Sequence, residues 1–182
     1  SDRTGFNFVR LQYQRGRISM YGSPRPRYNN SRYNNNSRYE EAKPNISITF
    51  TDEHYVDEAE EVIKYCQKNH FKAPGSRERD EITYSQLRNL LGMTSAIFDA
   101  TNIADLKTVY EKLTYFRIQL VYTAGRNEAM KSFIEASHLL EIVKKIDQKQ
   151  ADDERQQRHE IIRLCKYMEA LVAYFKYYGG KD

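Results

Sequence analysis

Cysteine is scarce: 182 residues contain two, Cys66 and Cys165, 99 positions apart. That spacing offers no metal pair and no disulfide framework. Both thiols fall in helical apolar patterns and read as buried and reduced, which points to a cytoplasmic setting. Long apolar runs are missing as well. The longest uncharged apolar stretch, Ala170 to Phe175, has six residues, whereas a membrane span needs about 20, so no helix is expected to cross a bilayer. The opening residues Ser1-Asp2-Arg3 lack a starting Met and an apolar h-region, so no secretory signal is expected in the sequence as it stands.

Reactive constellations are equally thin. The four histidines, His54, His70, His138 and His159, fall on different helices or helix ends. His54 and Glu58, four apart, match half of a zinc site, but among so many carboxylates an ordinary surface pair explains them better. No Gly-x-Ser-x-Gly motif occurs, and no glycine-rich loop joins a strand to a helix. No catalysis, metal or cofactor is expected.

What is present is charge, unevenly placed. Residues 1–44 hold eight Arg and one Lys against Asp2, Glu40 and Glu41, a net of +6. The other 138 residues carry 20 basic against 22 acidic side chains, a net of −2. A basic arm on a near-neutral body favours a polyanionic partner. Within the arm, residues 27–39 repeat Arg27-Tyr28, Arg32-Tyr33 and Arg38-Tyr39 between Asn and Ser. This composition cannot bury enough apolar surface to offset about 1–2 kcal/mol per residue of ordering entropy, so alone it is expected to be disordered. Arg for phosphates and Tyr for stacking is the mixture that binders of single-stranded RNA use; a solvated tail without function, or a product of trimming, fits the composition equally well.

From Thr51 the apolar period becomes helical. The first helix, about 52–70, has Val56, Ala59, Ile63 and Cys66 on its apolar stripe and Asp52, Glu53, Asp57 and Glu58 near its start, where the dipole favours them. Residues 71–82, with Pro74-Gly75 and six charges, read as an exposed loop. Thr83 and Gln86 form a capping box for a helix to about Asp99, with Leu87, Leu90, Leu91, Thr94 and Phe98 inward. A third helix, about 104–124, is striped by Leu106, Val109, Tyr110, Leu113, Phe116, Leu120, Val121 and Ala124, and Gly125 is expected to end it. Asn127 caps a fourth helix, about 128–148, with Ala129, Phe133, Ala136, Leu140 and Val143 inward. Leu139, Ile142 and Ile146 widen that face enough for a central element or one that also meets a partner chain. A last helix, opened by Asp152-Asp153-Glu154, buries Ile161, Leu164, Cys165, Met168, Leu171, Val172 and Phe175 and stops at Gly179-Gly180. The short Ile46-Ser47-Ile48-Thr49-Phe50 is either a strand or an extended arm. The expected fold is all-α: a single bundle of five helices over 50–182, behind a basic low-complexity arm over 1–49.

Arginines then mark a binding surface. Arg117 lies on the third helix's apolar stripe, where an unpaired charge would cost several kcal/mol. Its partner is a carboxylate such as Glu169 or Glu141, or else a phosphate or a second subunit. Arg126, between two helices with Lys131 one turn on, either seats a phosphate at a helix N-terminus or caps the preceding carbonyls. On the second helix Arg88, Gly92 and Ser95 share an outward ridge, which a sugar-phosphate chain can approach closely; a solvated Arg is the bland reading. Tyr167, Tyr174, Tyr177 and Tyr178, with Lys166 and Lys176, read as a subunit-contact surface off the last helix's stripe, more for protein than for RNA.

Three blocks carry a family resemblance: Ile82-Thr83-Tyr84-Ser85-Gln86-Leu87-Arg88-Asn89, Gln119-Leu-Val-Tyr122-Thr-Ala-Gly125-Arg126 and Cys165-Lys-Tyr-Met-Glu169-Ala-Leu-Val-Ala173-Tyr-Phe-Lys-Tyr-Tyr-Gly-Gly-Lys181. Together with Asp52-Glu53-His54-Tyr55-Val56-Asp57 they closely resemble the small subunit of type III-A CRISPR effector (Csm) complexes. The likeness runs from about Phe50 to the C terminus, roughly 133 of 182 residues. The arm over 1–49 departs from the family, and the Pro74-Gly75 loop looks longer than usual. The resemblance implies a non-catalytic helical subunit in several copies, stacked head to tail beside a backbone filament that holds CRISPR RNA, with target RNA in the groove between. It implies as partners the CRISPR RNA, the target RNA, the backbone and large subunits and further copies of the chain. Arg88, Arg126 and Lys131 are then the expected phosphate contacts, with Arg117 orienting or joining that surface.

Overall fold

A computed structural model of the protein describes residues 46–74, 80–148 and 153–182, and the Arg/Tyr repeat of the arm, from Arg27 to Tyr39, lies outside them. Six helices and no strand make up the described residues: α1 (Tyr55–Lys68), α2 (Tyr84–Ile103), α3 (Leu106–Arg126), α4 (Glu128–Ala136), α5 (Leu139–Gln148) and α6 (Glu154–Tyr177). None of these helices is long and apolar enough to cross a membrane.

The longest helix, α6, packs on α1, α2 and α5. All seven residues of its expected stripe are buried, and each such aliphatic or aromatic side chain contributes about 1.5–3 kcal/mol relative to exposure. Asp153 accepts the Arg155 N–H at its start, 2.9 Å away. Burial pushes the thiols of Cys66 and Cys165 up to about 12, which leaves both as protonated, unreactive apolar groups.

Side-chain caps place the helix boundaries. The box at α2 is complete: Gln86 N–H donates to the Thr83 hydroxyl and Thr83 N–H donates to Gln86 Oε1, at 3.3 and 2.9 Å. α2 runs on to Ile103, and its last carbonyls, Thr101 and Ala104, accept from the Arg158 guanidinium of α6. That contact across the bundle lets the helix outlast its expected end near Asp99. Asp105 then caps α3 by accepting the Thr108 N–H at 2.7 Å. Gly125 does not end α3. The helix continues to Arg126 and stops where Asn127 turns extended, at φ −146° and ψ 116°. On α1, Ala59, Val62, Ile63 and Cys66 are buried, whereas Val56, expected on the same stripe, lies in the first turn and is 39% exposed.

The expected fourth helix is two. Ser137 ends α4 and His138, in the left-handed region at φ 52°, redirects the chain into α5. The wide apolar girth thus divides into two narrower faces: Ala129, Met130, Phe133, Ile134 and Ala136 on one piece, and Leu139, Ile142, Val143 and Ile146 on the other, all buried. This chain's own core covers that face, so its breadth requires no partner. The loop expected at 71–82 is likewise less exposed than its charges imply. Ala73 and Ile82 are buried, Phe71 meets the Phe175 ring edge-on at 4.9 Å, and Ile82 N–H donates to Phe71 O at 2.8 Å; residues 75–79 lie outside the described set.

Ile46–Phe50 is extended without strand pairing. Glu58, 7% exposed, accepts from Thr49 N–H and hydroxyl at 2.6 Å each and from Phe50 N–H at 3.1 Å. Glu58 is therefore a buried clasp and not the surface partner of His54. His138 Nε2 lies 2.9 Å from Ile46 O, and Arg163 grips Asp52 through two bonds of 2.7 and 2.9 Å. At the other end Gly179, at φ 84°, turns the chain so that Lys181 O accepts the Tyr84 N–H at 2.9 Å.

Candidate functional site

The groove that best fits an anionic ligand lies between α2 and α3 and ends at the α3–α4 junction. It has a volume of about 500 Å³ and is lined by Gln86, Asn89, Leu90, Met93, Gln119, Tyr122, Thr123, Arg126 and Asn127. Among the described residues no carboxylate lines it. A comparable cavity of about 530 Å³, between residues 48–50 and α5 and α6, is lined by Glu141 and Glu160 as well as Lys145 and Arg163. Mixed charge there repels a polyanion as much as it attracts one.

The groove's cation is held in place by its own helix. Arg126 stands four residues after Tyr122, so the two share a face. Its Nη1 donates to the Tyr122 hydroxyl at 3.0 Å, and the guanidinium lies 5.4 Å from the ring centroid. A cation on an aromatic face keeps its remaining N–H donors free for an anion. Asn127 caps α4 by accepting the Met130 N–H at 2.8 Å, directly beside Arg126.

Placed on this frame, the expected RNA-contacting residues separate. Arg126 lines the groove. Arg88, exposed on α2 and with no side-chain partner among the described residues, sits on the neighbouring ridge with Gly92 and Ser95, one position before Asn89. A Cβ at Gly92 would meet open space, so that ridge is open to close approach. Lys131 is tied to Glu128 at 3.4 Å, just beyond the groove's end. Arg117 lies on the opposite flank of α3, two residues or about 200° from Gln119. Neither Glu169 nor Glu141 is its partner: it pairs with Asp147 of α5 at 2.8 Å, its side chain still 38% exposed. The helix break at His138 redirects α5, which carries Asp147 near its end.

The expected contact surface on α6 is mostly engaged within the chain. Tyr167 belongs to the core and not to a surface. It is fully buried, meets Phe50 edge-on at 5.8 Å and donates its hydroxyl to Ser137 O at 3.1 Å. Residue 167 lies three positions after Leu164 and four before Leu171, inside the buried arc. Tyr178 donates to Glu60, and its carbonyl accepts from Gln67 at 3.0 Å. Tyr174 stacks on Tyr178, while Lys176 lies 4.0 Å from the Tyr84 ring centroid and pairs with Asp182. Tyr177 alone of the five stands largely in solvent, at 79%.

A different apolar surface emerges on α3, where Tyr115, Ile118, Val121 and Tyr122 are each slightly more than half exposed. Sequence reading missed it because Val121 fits the inward stripe and the others look like scattered surface residues. The groove's Gln86, Asn89 and Gln119 were missed too, since lone amides carry no motif. Among the described residues no group of three His, Cys, Asp or Glu is placed to hold a metal ion.

Taken together, the described residues form an all-helical bundle with a polar groove that holds hydrogen-bond donors and one oriented cation. Comparison with known proteins gives the particular family. A profile of the type III-A Csm2 family matches residues 56–181, and the chain belongs to that family. A Streptococcus thermophilus protein named "CRISPR system Cms protein Csm2" is 39% identical over 132 residues, covering 72% of this chain and 97% of its own length. Proteins of the same name from Mycobacterium tuberculosis, at 36% over 113 residues (60% of this chain, 85% of theirs), and Enterococcus italicus, at 32% over 105 residues (56% and 71%), are also similar.

Proposed function

We propose that this chain is the non-catalytic small subunit of a cytoplasmic type III-A Csm effector complex, stacked in several copies, where it holds the duplex of CRISPR RNA and target RNA by its phosphates. The observation that carries the reading is the carboxylate-free α2/α3 groove with Arg126 poised on Tyr122, in a chain of the Csm2 family. Phosphate contact suits a subunit of an RNA-guided assembly, because guide pairing already reads the sequence. Arg88 and Arg126 make the principal contacts, Lys131 supplements them, and Arg117 acts at a distance by tying α3 to α5. The half-exposed Tyr115, Ile118 and Val121 supply apolar area for contacts with backbone subunits or a further copy, joined by Tyr177. The basic arm, with its Arg27-Tyr28, Arg32-Tyr33 and Arg38-Tyr39 units, adds a sequence-independent RNA tether.

The test is target-RNA binding by the assembled complex across a salt series. Replacing Arg88 and Arg126 together by Ala weakens binding to all guide-matched targets alike. It also flattens the slope of log affinity against log salt by about 0.7 for each phosphate on a single strand that is no longer neutralised. An unchanged slope would sink the assignment, and a chain that never assembles with CRISPR RNA would point instead to a free-standing protein adaptor.

A further inference from the structure

The groove holds more than a cation, and its neutral groups have a defined polarity. Gln86 Oε1 is committed to Thr83 N–H and Asn127 Oδ1 to Met130 N–H, at 2.9 and 2.8 Å. An N–H must face an oxygen, so neither amide can flip, and both NH₂ groups remain as donors. Asn89 of α2 and Gln119 of α3 also line the groove, and their side-chain amides have no hydrogen-bond partner among the described residues. Each therefore offers one donor group and one acceptor group, with no charge.

A phosphate oxygen accepts only, and Arg126 with the two capped amides suffices for that. A free amide's acceptor half needs a ligand group that donates, and a neutral ligand group that both donates and accepts is a hydroxyl. On a nucleic-acid strand that group is the ribose 2′-OH, which the wide, shallow minor groove of an A-form duplex displays. Base edges are the poorer match, since a subunit that serves every guide sequence gains nothing from contacts that differ between bases. We propose that Asn89 and Gln119 hydrogen-bond ribose 2′-hydroxyls of the bound duplex, so that the α2/α3 groove distinguishes RNA from DNA. This rests on the RNA-binding reading above and adds to it a chemical specificity that phosphate contacts cannot supply.

The probe is a guide-matched target strand with 2′-fluoro in place of 2′-hydroxyl, which keeps the A-form sugar pucker and removes the donor. Binding is measured in the assembled complex carrying wild-type chain, Asn89→Ala, Gln119→Ala or both. With wild type, the fluoro strand binds more weakly than RNA by about 2- to 12-fold for each 2′-hydroxyl hydrogen bond removed. In the double variant the ratio between the two strands falls toward that set by the other subunits, while the salt slope stays as in wild type. The same ratio in wild type and double variant overturns the proposal. Asn89 is exposed, so Asn89→Ala alone keeps the test valid should the Gln119 change disturb packing. The salt slope of the Arg88/Arg126 variant reports separately on the phosphate reading, so the two ideas fail by different measurements.

Discussion

Tyr167→Phe separates a core role from a surface role at one atom. The ring stays and fills the same volume, so no cavity opens and no transfer free energy is lost. What disappears is the hydroxyl that donates to Ser137 O at 3.1 Å, inside a fully buried site at the α4–α5 break. A net hydrogen bond is worth about 0.5–1.5 kcal/mol, and a stranded buried carbonyl adds to the cost, so the expected loss is about 1–2 kcal/mol. For a protein of this length that lowers Tm by roughly 2–8 °C. Calorimetry on the purified chain reads it, with Tyr177→Phe, whose ring stands in solvent, as the silent control. A pH signature accompanies the melt. Burial raises the Tyr167 hydroxyl above its ordinary value of 10; stability linked to it is present below pH 10 and is lost as pH rises and the unfolded chain ionises first. Tyr167→Phe therefore flattens the alkaline side of the stability curve. An unshifted Tm together with altered self-association would refute the core assignment and return Tyr167 to a contact surface.

Two further outcomes follow from the clasps at the ends of the chain. The Arg163 guanidinium holds the Asp52 carboxyl below its ordinary 3.8, so its stabilisation is present above about pH 4 and is lost as pH falls through the depressed value. Asp52→Asn should accordingly lower Tm at pH 7, with the gap to wild type narrowing as pH falls below about 4, in melts across a pH series. Gly180→Ala would drive a Cβ into the buried Phe175 ring. Overpacking of that kind costs about 1–3 kcal/mol in a urea titration, and an unchanged midpoint would mean that the C-terminal turn yields freely around the added methyl.

Legibility from sequence varied with how local the cause was. The seven residues expected on the α6 stripe are all buried, because side chains at helical spacing face one core whatever else the chain does. The α2 capping box was read for the same reason: both partners lie within four residues. The helix break at Ser137-His138 was not legible, since neither residue is a helix breaker. His138 adopts φ 52° because two apolar faces, each needing burial in a different direction, outweigh the strain of a left-handed histidine. Tyr167 was misplaced by the same cause at smaller scale, for its burial depends on Ser137 O arriving from the break 30 residues earlier.

For the site, Arg126 was legible from its position between two helices, and Tyr122 stood in the motif that carried the family resemblance. The groove that unites them with Asn89 and Gln119 was not, because its two walls come from α2 and α3 and no spacing in one helix encodes the other. Arg117 makes the same point in reverse. Its need for a carboxylate follows from its place on an apolar stripe, but the choice of Asp147 over Glu141 or Glu169 depends on the direction α5 takes after His138.

The helical class, the principal stripes, the caps, the buried thiols and the family are legible in the order of residues, since all of these rest on interactions within a few residues or on residue identity alone. The tertiary structure decided which polar side chains converge on one groove, which tyrosines are core, and which face of α3 is left apolar and open. Those depend on how helices turn against one another to bury the most apolar area, a balance summed over the whole bundle.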